Sequence, residues 1–177
     1  MNNPTLRVMI SDAEIDKRIH ELGEKITEDY KDGDLVLVGI LKGAFIFVAD
    51  LARAINRPVR LDFMGISSYG KGKTTSGEVK VTKDLDASIE GANVIIVEDI
   101  VDTGVTLSYL IGQLHNRKPR SIRIAALLDK PDRRLRPVQV SYTGFTIPDE
   151  FVVGYGLDYA EDYRGLKDIC ILSDGAT

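Results

Sequence analysis

Residues 94–107, which read Val-Ile-Ile-Val-Glu-Asp-Ile-Val-Asp-Thr-Gly-Val-Thr-Leu, constrain the fold of this chain more than any other stretch. The first four residues are apolar and β-branched, which is typical of a short buried strand in a parallel sheet. Two carboxylates, Glu98 and Asp99, end the predicted strand at Val97. Apolar residues then recur at helical spacing from Leu107 onward. The stretch therefore predicts a strand, a tight turn and a helix.

The turn at 102–106, Asp-Thr-Gly-Val-Thr, has the composition of a phosphate site. Such a turn points backbone N–H groups and two threonine hydroxyls at one place, at the positive end of the helix dipole. Because carboxylates repel a phosphate, Glu98 and Asp99 suit instead the cis-diol of a ribose or a metal ion. The stretch predicts a holder for a ribose 5-phosphate. On composition alone, a helix N-terminus with capping acids fits equally well.

Length and composition limit the class of protein. A chain of 177 residues with 44% hydrophobic and 28% charged residues is predicted to form one soluble domain. Its net charge of −4 argues against nucleic acid or an anionic membrane as partner. We expect a cytoplasmic protein, since no run of residues has the length of a membrane span and residues 1–5 do not resemble a signal peptide. The single Cys170 is expected to be a small apolar residue in a C-terminal strand.

The remaining pattern predicts an α/β fold. Ser11 and Glu14 form a capping box that starts a helix ending near Tyr30. Alternation of strands and helices then predicts right-handed βαβ units, that is, a parallel sheet with helices on both faces. Further strands are predicted at 35–40, 59–67, 121–129, within 139–147 and at 169–172, and further helices at 44–55 and from the turn to about 116.

The segment Glu-Asp-Ile-Val-Asp-Thr-Gly-Val-Thr at 98–106, after four apolar residues, resembles the phosphoribosyl pyrophosphate (PRPP) signature of type I phosphoribosyltransferases. More narrowly, the chain resembles the bacterial members that act on hypoxanthine, or on hypoxanthine and guanine. The resemblance runs from about residue 36 to the C-terminus, with several motifs in the family's order. It implies one domain over residues 1–177, with a parallel core and a small hood built from the N-terminal residues and the segment from about 130.

The resemblance implies roles for residues at the first two strand ends. Lys42 and Gly43 would form the pyrophosphate loop, and the Leu41–Lys42 peptide can be cis in this family. Glu98 and Asp99 would hold the ribose hydroxyls. The 5-phosphate would be bound by Asp102, Thr103, Gly104, Val105 and Thr106. Some relatives carry lysine in place of Val105, a minor departure because a backbone amide serves a phosphate as well. Asp102 would also take or relay the proton from N7 of the purine.

The base site is implied at the third strand end and in the tail. Lys130 would read the purine O6, since lysine has three donors and no acceptor. Phe151 would stack on the purine, and the backbone near Val152 would meet its edge. Asp158 would complete this side of the site and help to hold Mg²⁺.

Three further roles follow from the same resemblance. Glu98 and Asp99 are possible contributors to the metal site, and Arg164 would contact pyrophosphate. Ser68 and Tyr69 would begin a mobile lid, over the polar, glycine-rich residues 68–77, that excludes water from the site.

The reaction implied is the transfer of the phosphoribosyl group of PRPP to N9 of hypoxanthine, and of guanine, giving IMP or GMP and pyrophosphate. The family implies a homodimer or homotetramer. Two alternatives stay open: a relative that uses xanthine or a pyrimidine, and a regulator on the same fold that senses PRPP or nucleotide and binds RNA or DNA. The basic residues available to that regulator are Arg117, Lys118, Arg120 and Arg123, or Arg133, Arg134 and Arg136.

Overall fold

The computed structural model describes residues 5–68 and 79–173, and folds them into two sheets and three α-helices. The strands are β1 (Thr5–Ile10), β2 (Leu35–Leu41), β3 (Arg60–Ser68), β4 (Val79–Lys83), β5 (Asn93–Val101), β6 (Ser121–Asp129), β7 (Tyr142–Thr146), β8 (Val152–Val153) and β9 (Ile169–Ser173). The helices are α1 (Asp12–Asp29), α2 (Phe45–Ala54) and α3 (Val105–His115), with a 3-10 turn at Pro131–Arg133.

The larger sheet has the order β4-β3-β2-β5-β6-β7. All its pairs are parallel except β3 with β4, so the predicted α/β fold with a parallel core is confirmed. Along β2, Leu35 and Leu37 join a core cluster with α1 and α2, whereas Val36 and Val38 join a second cluster with α3. Successive residues of a strand point to opposite faces. The helices therefore cover both faces of the sheet, as predicted.

Local sequence signals set the helix boundaries. Ser11 caps α1 through the predicted capping box: its backbone N–H donates to Glu14 Oε2 at 2.9 Å, and its hydroxyl accepts from the Glu14 N–H. The helix ends at Asp29 and is capped by Tyr30, as expected. α3 ends at His115, within one residue of its predicted end. Cys170 is buried in β9, also as predicted.

The prediction that the central strand ends at Val97 was wrong. β5 continues to Val101, because its ladder with β6 persists in the pairs Glu98 with Ala126 and Ile100 with Leu128. Backbone pairing depends on the neighbouring strand and not on side-chain polarity, so two acids do not interrupt it.

A smaller sheet has the order β1-β9-β8, and its strands come from the N-terminal residues and the segment after 130 that were expected to form a hood. β1 pairs with β9 in antiparallel register, Thr5 opposite Ser173, and this joins the two ends of the described chain. No strand was predicted for β1, or for β4 at the edge of the larger sheet. Of the predicted lid residues, Ser68 ends β3, and Tyr69 lies outside the described residues, as do residues 70–78. None of the described helices has the length and apolarity needed to span a membrane.

Candidate active site

Three neighbouring strands place the predicted site residues at one edge of the larger sheet. β2, β5 and β6 are adjacent and parallel, so their carboxyl ends lie side by side. Lys42 follows β2, Asp102 follows β5 and Lys130 follows β6. Ligands of open parallel sheets bind at this edge. The fold therefore brings together three turns that are about 90 residues apart at their extremes in the sequence.

The turn after β2 packs directly on an acid of β5. The Leu41–Lys42 peptide is cis, the geometry that the resemblance allowed. A Cβ atom added to Gly43 would lie 2.6 Å from Asp99 Cγ and closer still to Oδ2. Position 43 therefore has to be glycine for the Asp99 carboxylate to keep its place. Lys42 Nζ extends from this turn to Glu161 Oε2, 3.0 Å away in the tail.

Glu98 and Asp99 form an acidic pair with little access to water. Glu98 is only 7% exposed, and Asp99 is half-buried. Burial raises the pKa of Glu98 well above its usual range, and the neighbouring Asp99 charge raises it further. Burial also raises the pKa of Asp99, although the Arg164 guanidinium acts in the opposite direction. Hydroxyl donors or a cation at this position would offset the cost of keeping two carboxylates out of water.

The turn after β5 has the form of a phosphate cradle. Gly104 adopts a left-handed φ of 78° and precedes the first residue of α3. A cavity of about 160 Å³ opens beside it, lined by Glu98, Ile100, Val101, Asp102, Thr103, Gly104, Thr106 and Leu107. A threonine-lined cavity at the N-terminus of a helix suits an anion, whereas the acid at its wall suits a hydroxyl. Val105, by contrast, begins the helix and does not line the cavity.

The residues predicted to meet the base lie beyond β6. Lys130 is only 8% exposed, and its Nζ donates to the Glu150 carbonyl at 2.7 Å. That carbonyl directly precedes Phe151, a residue that is 52% exposed and whose ring contacts the Tyr159 ring edge-on, with ring centroids 5.7 Å apart. Val152 is buried in β8. A buried lysine, an accessible aromatic ring and a strand backbone therefore come together on one side of the site.

The tail holds Asp158 and Arg164 as an ion pair. Arg164 Nη2 lies 2.8 Å from Asp158 Oδ1, and Nη1 donates to the Gly156 carbonyl at 2.8 Å. Asp158 Oδ2 accepts from the Glu161 N–H at 2.8 Å. The two predicted ligand-binding residues are thus already oriented by each other.

Two charged contacts of the site were missed by reasoning from sequence. Glu161 contacts Lys42, and Arg133 lies 2.9 Å from Asp102 through its Nε. Neither residue belongs to a recognisable spacing pattern, since each meets its partner only through the tertiary fold. A basic side chain following Lys130 by three residues is a common surface feature and carries no signal of its own.

Four of the seven basic residues considered for nucleic-acid binding form ion pairs with acids. Arg117 pairs with Asp84, and Arg123 pairs with Asp29. Arg134 pairs with Asp129. These ion pairs remove much of the positive field that a nucleic-acid surface requires.

Together, the parallel sheet, the threonine-lined turn, the acidic pair and the cationic turn define the class: an α/β protein whose sheet edge has the donors and acceptors expected of a phosphorylated-sugar site. A family model described as phosphoribosyl transferase domain matches residues 10–160, which is most of the chain. The chain belongs to the phosphoribosyltransferase family.

Three similar proteins indicate the branch of that family. The chain is 49% identical over 172 residues to hypoxanthine-guanine phosphoribosyltransferase of Bacillus subtilis, covering 97% of this chain and 96% of that protein. It is 56% identical over 167 residues to hypoxanthine phosphoribosyltransferase of Escherichia coli, covering 93% and 94% of the two chains. A crystal structure of a hypoxanthine phosphoribosyltransferase from Staphylococcus aureus superposes with a TM-score of 0.91 at 47% identity, over 94% and 91% of the two chains.

Proposed function

We propose that this protein transfers the phosphoribosyl group of PRPP to N9 of hypoxanthine and of guanine, releasing pyrophosphate and giving IMP or GMP. The observation that carries the proposal is the position of Lys130, buried at the carboxyl end of β6 and beside the phosphate cradle at the end of β5. A ribose phosphate held in the cradle would bring a purine within reach of this donor. The names of the similar bacterial enzymes support the same reaction.

The proposed chemistry needs positioning more than a covalent intermediate. Thr103, Gly104 and Thr106 would hold the 5-phosphate, while Glu98 and Asp99 would accept hydrogen bonds from the ribose hydroxyls. N9 of the base would form a bond to C1 of the ribose as the bond from C1 to the pyrophosphate oxygen breaks. The N7 proton, made more acidic by this step, would pass to the carboxylate of Asp102. Most of the rate would come from orientation and electrostatic stabilisation of the leaving group.

The residues fit a divalent cation that binds together with its substrate. Among the described residues, no group of three or more His, Cys, Asp or Glu side chains is arranged to hold a metal ion. Mg²⁺ usually takes one or two carboxylates and completes its shell with phosphate oxygens and water. Asp158 is proposed as one ligand, and the buried acids Glu98 and Asp99 as contributors. The ion would supply charge neutralisation of the pyrophosphate leaving group.

The tail would complete the site on the side of the base. The exposed ring of Phe151 is proposed to stack on the purine, with the backbone at Val152 against its edge. Arg164 and Lys42 are proposed to bind pyrophosphate oxygens. In the structure each of these cations contacts a carboxylate oxygen, which takes the place of such a ligand oxygen. The smaller sheet is proposed to act as the hood. A cytoplasmic location and a homodimer or homotetramer are also proposed.

Incubation of the pure protein with labelled hypoxanthine, PRPP and Mg²⁺ tests the function directly. We expect labelled IMP and an equal amount of pyrophosphate, and loss of product when a chelator removes the metal. Guanine should also react, whereas adenine and a pyrimidine should react poorly, and xanthine, which shares O6, is measured in parallel as the fifth base. Absence of any nucleotide product with all five bases would overturn the proposal and favour the regulatory alternative.

A further inference from the structure

Arg133 joins two acids that belong to different parts of the site. Its Nε lies 2.9 Å from Asp102 Oδ1, and its Nη1 donates to both carboxylate oxygens of Asp149 at 3.2 Å. Asp149 Oδ1 is in turn 3.7 Å from Lys130 Nζ. A continuous row of four alternating charges therefore runs from the proposed base reader to the proposed proton acceptor, and Arg133 joins its two acids.

The contact with Arg133 makes the two oxygens of Asp102 different. Oδ1 is buried and has no hydrogen-bond partner among the described residues, so its contact with Arg133 Nε is an ion pair. The Asp102 side chain as a whole is nonetheless 40% exposed. Its exposure therefore comes from the other atoms, which include Oδ2. Arg133 thus contacts one carboxylate oxygen of a residue that lines the cavity beside the cradle.

The backbone that carries Arg133 is fixed to the phosphate cradle. The N–H groups of Leu135 and Arg136 both donate to the Thr103 carbonyl, at 2.9 and 3.0 Å. A Cβ atom added to Gly104 would meet the Arg136 carbonyl oxygen at 2.6 Å. The segment 131–136 is thus held against the turn that contains Asp102. These backbone contacts fix the main chain that carries the Arg133 side chain, and so limit where its guanidinium can lie.

We propose that Arg133 is a positioning residue for the proton transfer, holding Asp102 through Oδ1 so that Oδ2 receives the purine N7 proton. This inference rests on the proposed function. A carboxylate free to rotate would present either oxygen at varying distance from N7, whereas one held at Oδ1 presents a single acceptor. Asp149 keeps the Arg133 guanidinium in place through their ion pair. Because Asp149 also lies near Lys130, the base reader and the proton acceptor are both linked to Arg133.

Arg133→Leu removes the guanidinium while keeping an apolar stem. A reactive group misplaced by about 1 Å can lose about a hundredfold in rate, so we expect kcat to fall by about ten- to a hundredfold. PRPP binding, followed by calorimetry with Mg²⁺, should change by less than about threefold, since the affected contact is made by the acceptor and not by the phosphate ligands. Arg133→Lys should recover part of the rate, because lysine keeps the charge but loses the planar fork that spans both acids. The matched control is Arg136→Leu, whose side chain makes no ion pair among the described residues. It should keep wild-type kcat.

A double-mutant cycle with Asp102→Asn separates positioning from a general structural effect. If Arg133 acts through Asp102, Arg133→Leu should cost little in the Asp102→Asn background, so the two losses are strongly non-additive. Losses that multiply in the double variant, or an Arg133→Leu enzyme that is folded and has wild-type kcat, would overturn the inference. A wild-type protein without transferase activity would instead overturn the proposed function, so the two failures are distinguishable.

Discussion

Gly43→Ala tests the close packing of the pyrophosphate loop on the acidic pair. The added methyl group would lie 2.6 Å from Asp99 Cγ, whereas carbon atoms in contact are about 3.5–4.0 Å apart. Because Oδ2 lies closer still, the carboxylate has to move by at least about 1 Å, and a displacement of this size in a site can cost about a hundredfold in rate. We expect kcat/KM for PRPP to fall by about this factor, because Asp99 is proposed to hold the ribose and the cationic loop is proposed to hold pyrophosphate.

The assay is steady-state transfer at saturating hypoxanthine with varied PRPP, together with thermal unfolding of each variant. Gly112→Ala is the matched control, since a Cβ added at that position in α3 meets no atom within 4 Å. It should keep wild-type kcat/KM and gain up to about 1 kcal/mol of stability from the better helix propensity of alanine. A folded Gly43→Ala enzyme with kcat/KM within about threefold of wild type would show that the Asp99 carboxylate can move without loss, and would refute the reasoning.

Asp102→Asn should keep PRPP affinity in calorimetry and lower kcat by roughly 10²- to 10⁴-fold, and a near-normal kcat would remove Asp102 from the proton transfer. Lys130→Met should reduce the ratio of kcat/KM for hypoxanthine to kcat/KM for adenine, chiefly by lowering the value for hypoxanthine. A required hydrogen bond can set such a ratio at about 10⁴–10⁵. An unchanged ratio would mean that Lys130 does not discriminate between the two bases. Glu98→Gln should stabilise the metal-free and ligand-free protein at neutral pH. Because the pKa of Glu98 is raised above its ordinary value of 4.5, the stability of the wild type is lost as pH rises above that value. The gain in thermal midpoint from the variant should therefore shrink as pH falls towards about 5, and an equal gain at both pH values would contradict the assigned burial effect.

The sequence alone determined the elements whose signals are local. The capping box at Ser11, the strand at 121–129 and the helix after the turn at 102–106 all follow from short-range patterns, and the structure places them as predicted. The family signature at 98–106 likewise needs no tertiary information, because its chemistry is contained in nine successive residues. These features depend on side chains and caps a few positions apart, which a linear pattern records.

Tertiary structure alone decided the features that depend on distant partners. β5 extends past Glu98 because β6 lies beside it, and β1 becomes a strand because β9 offers it a partner more than 150 residues away. The burial of Lys130 and the contact of Arg133 with Asp102 arise in the same way, from chain segments that meet only when the sheet is assembled. Whether a charged side chain is solvated or held depends on what packs against it, and the sequence specifies that packing only through the complete fold.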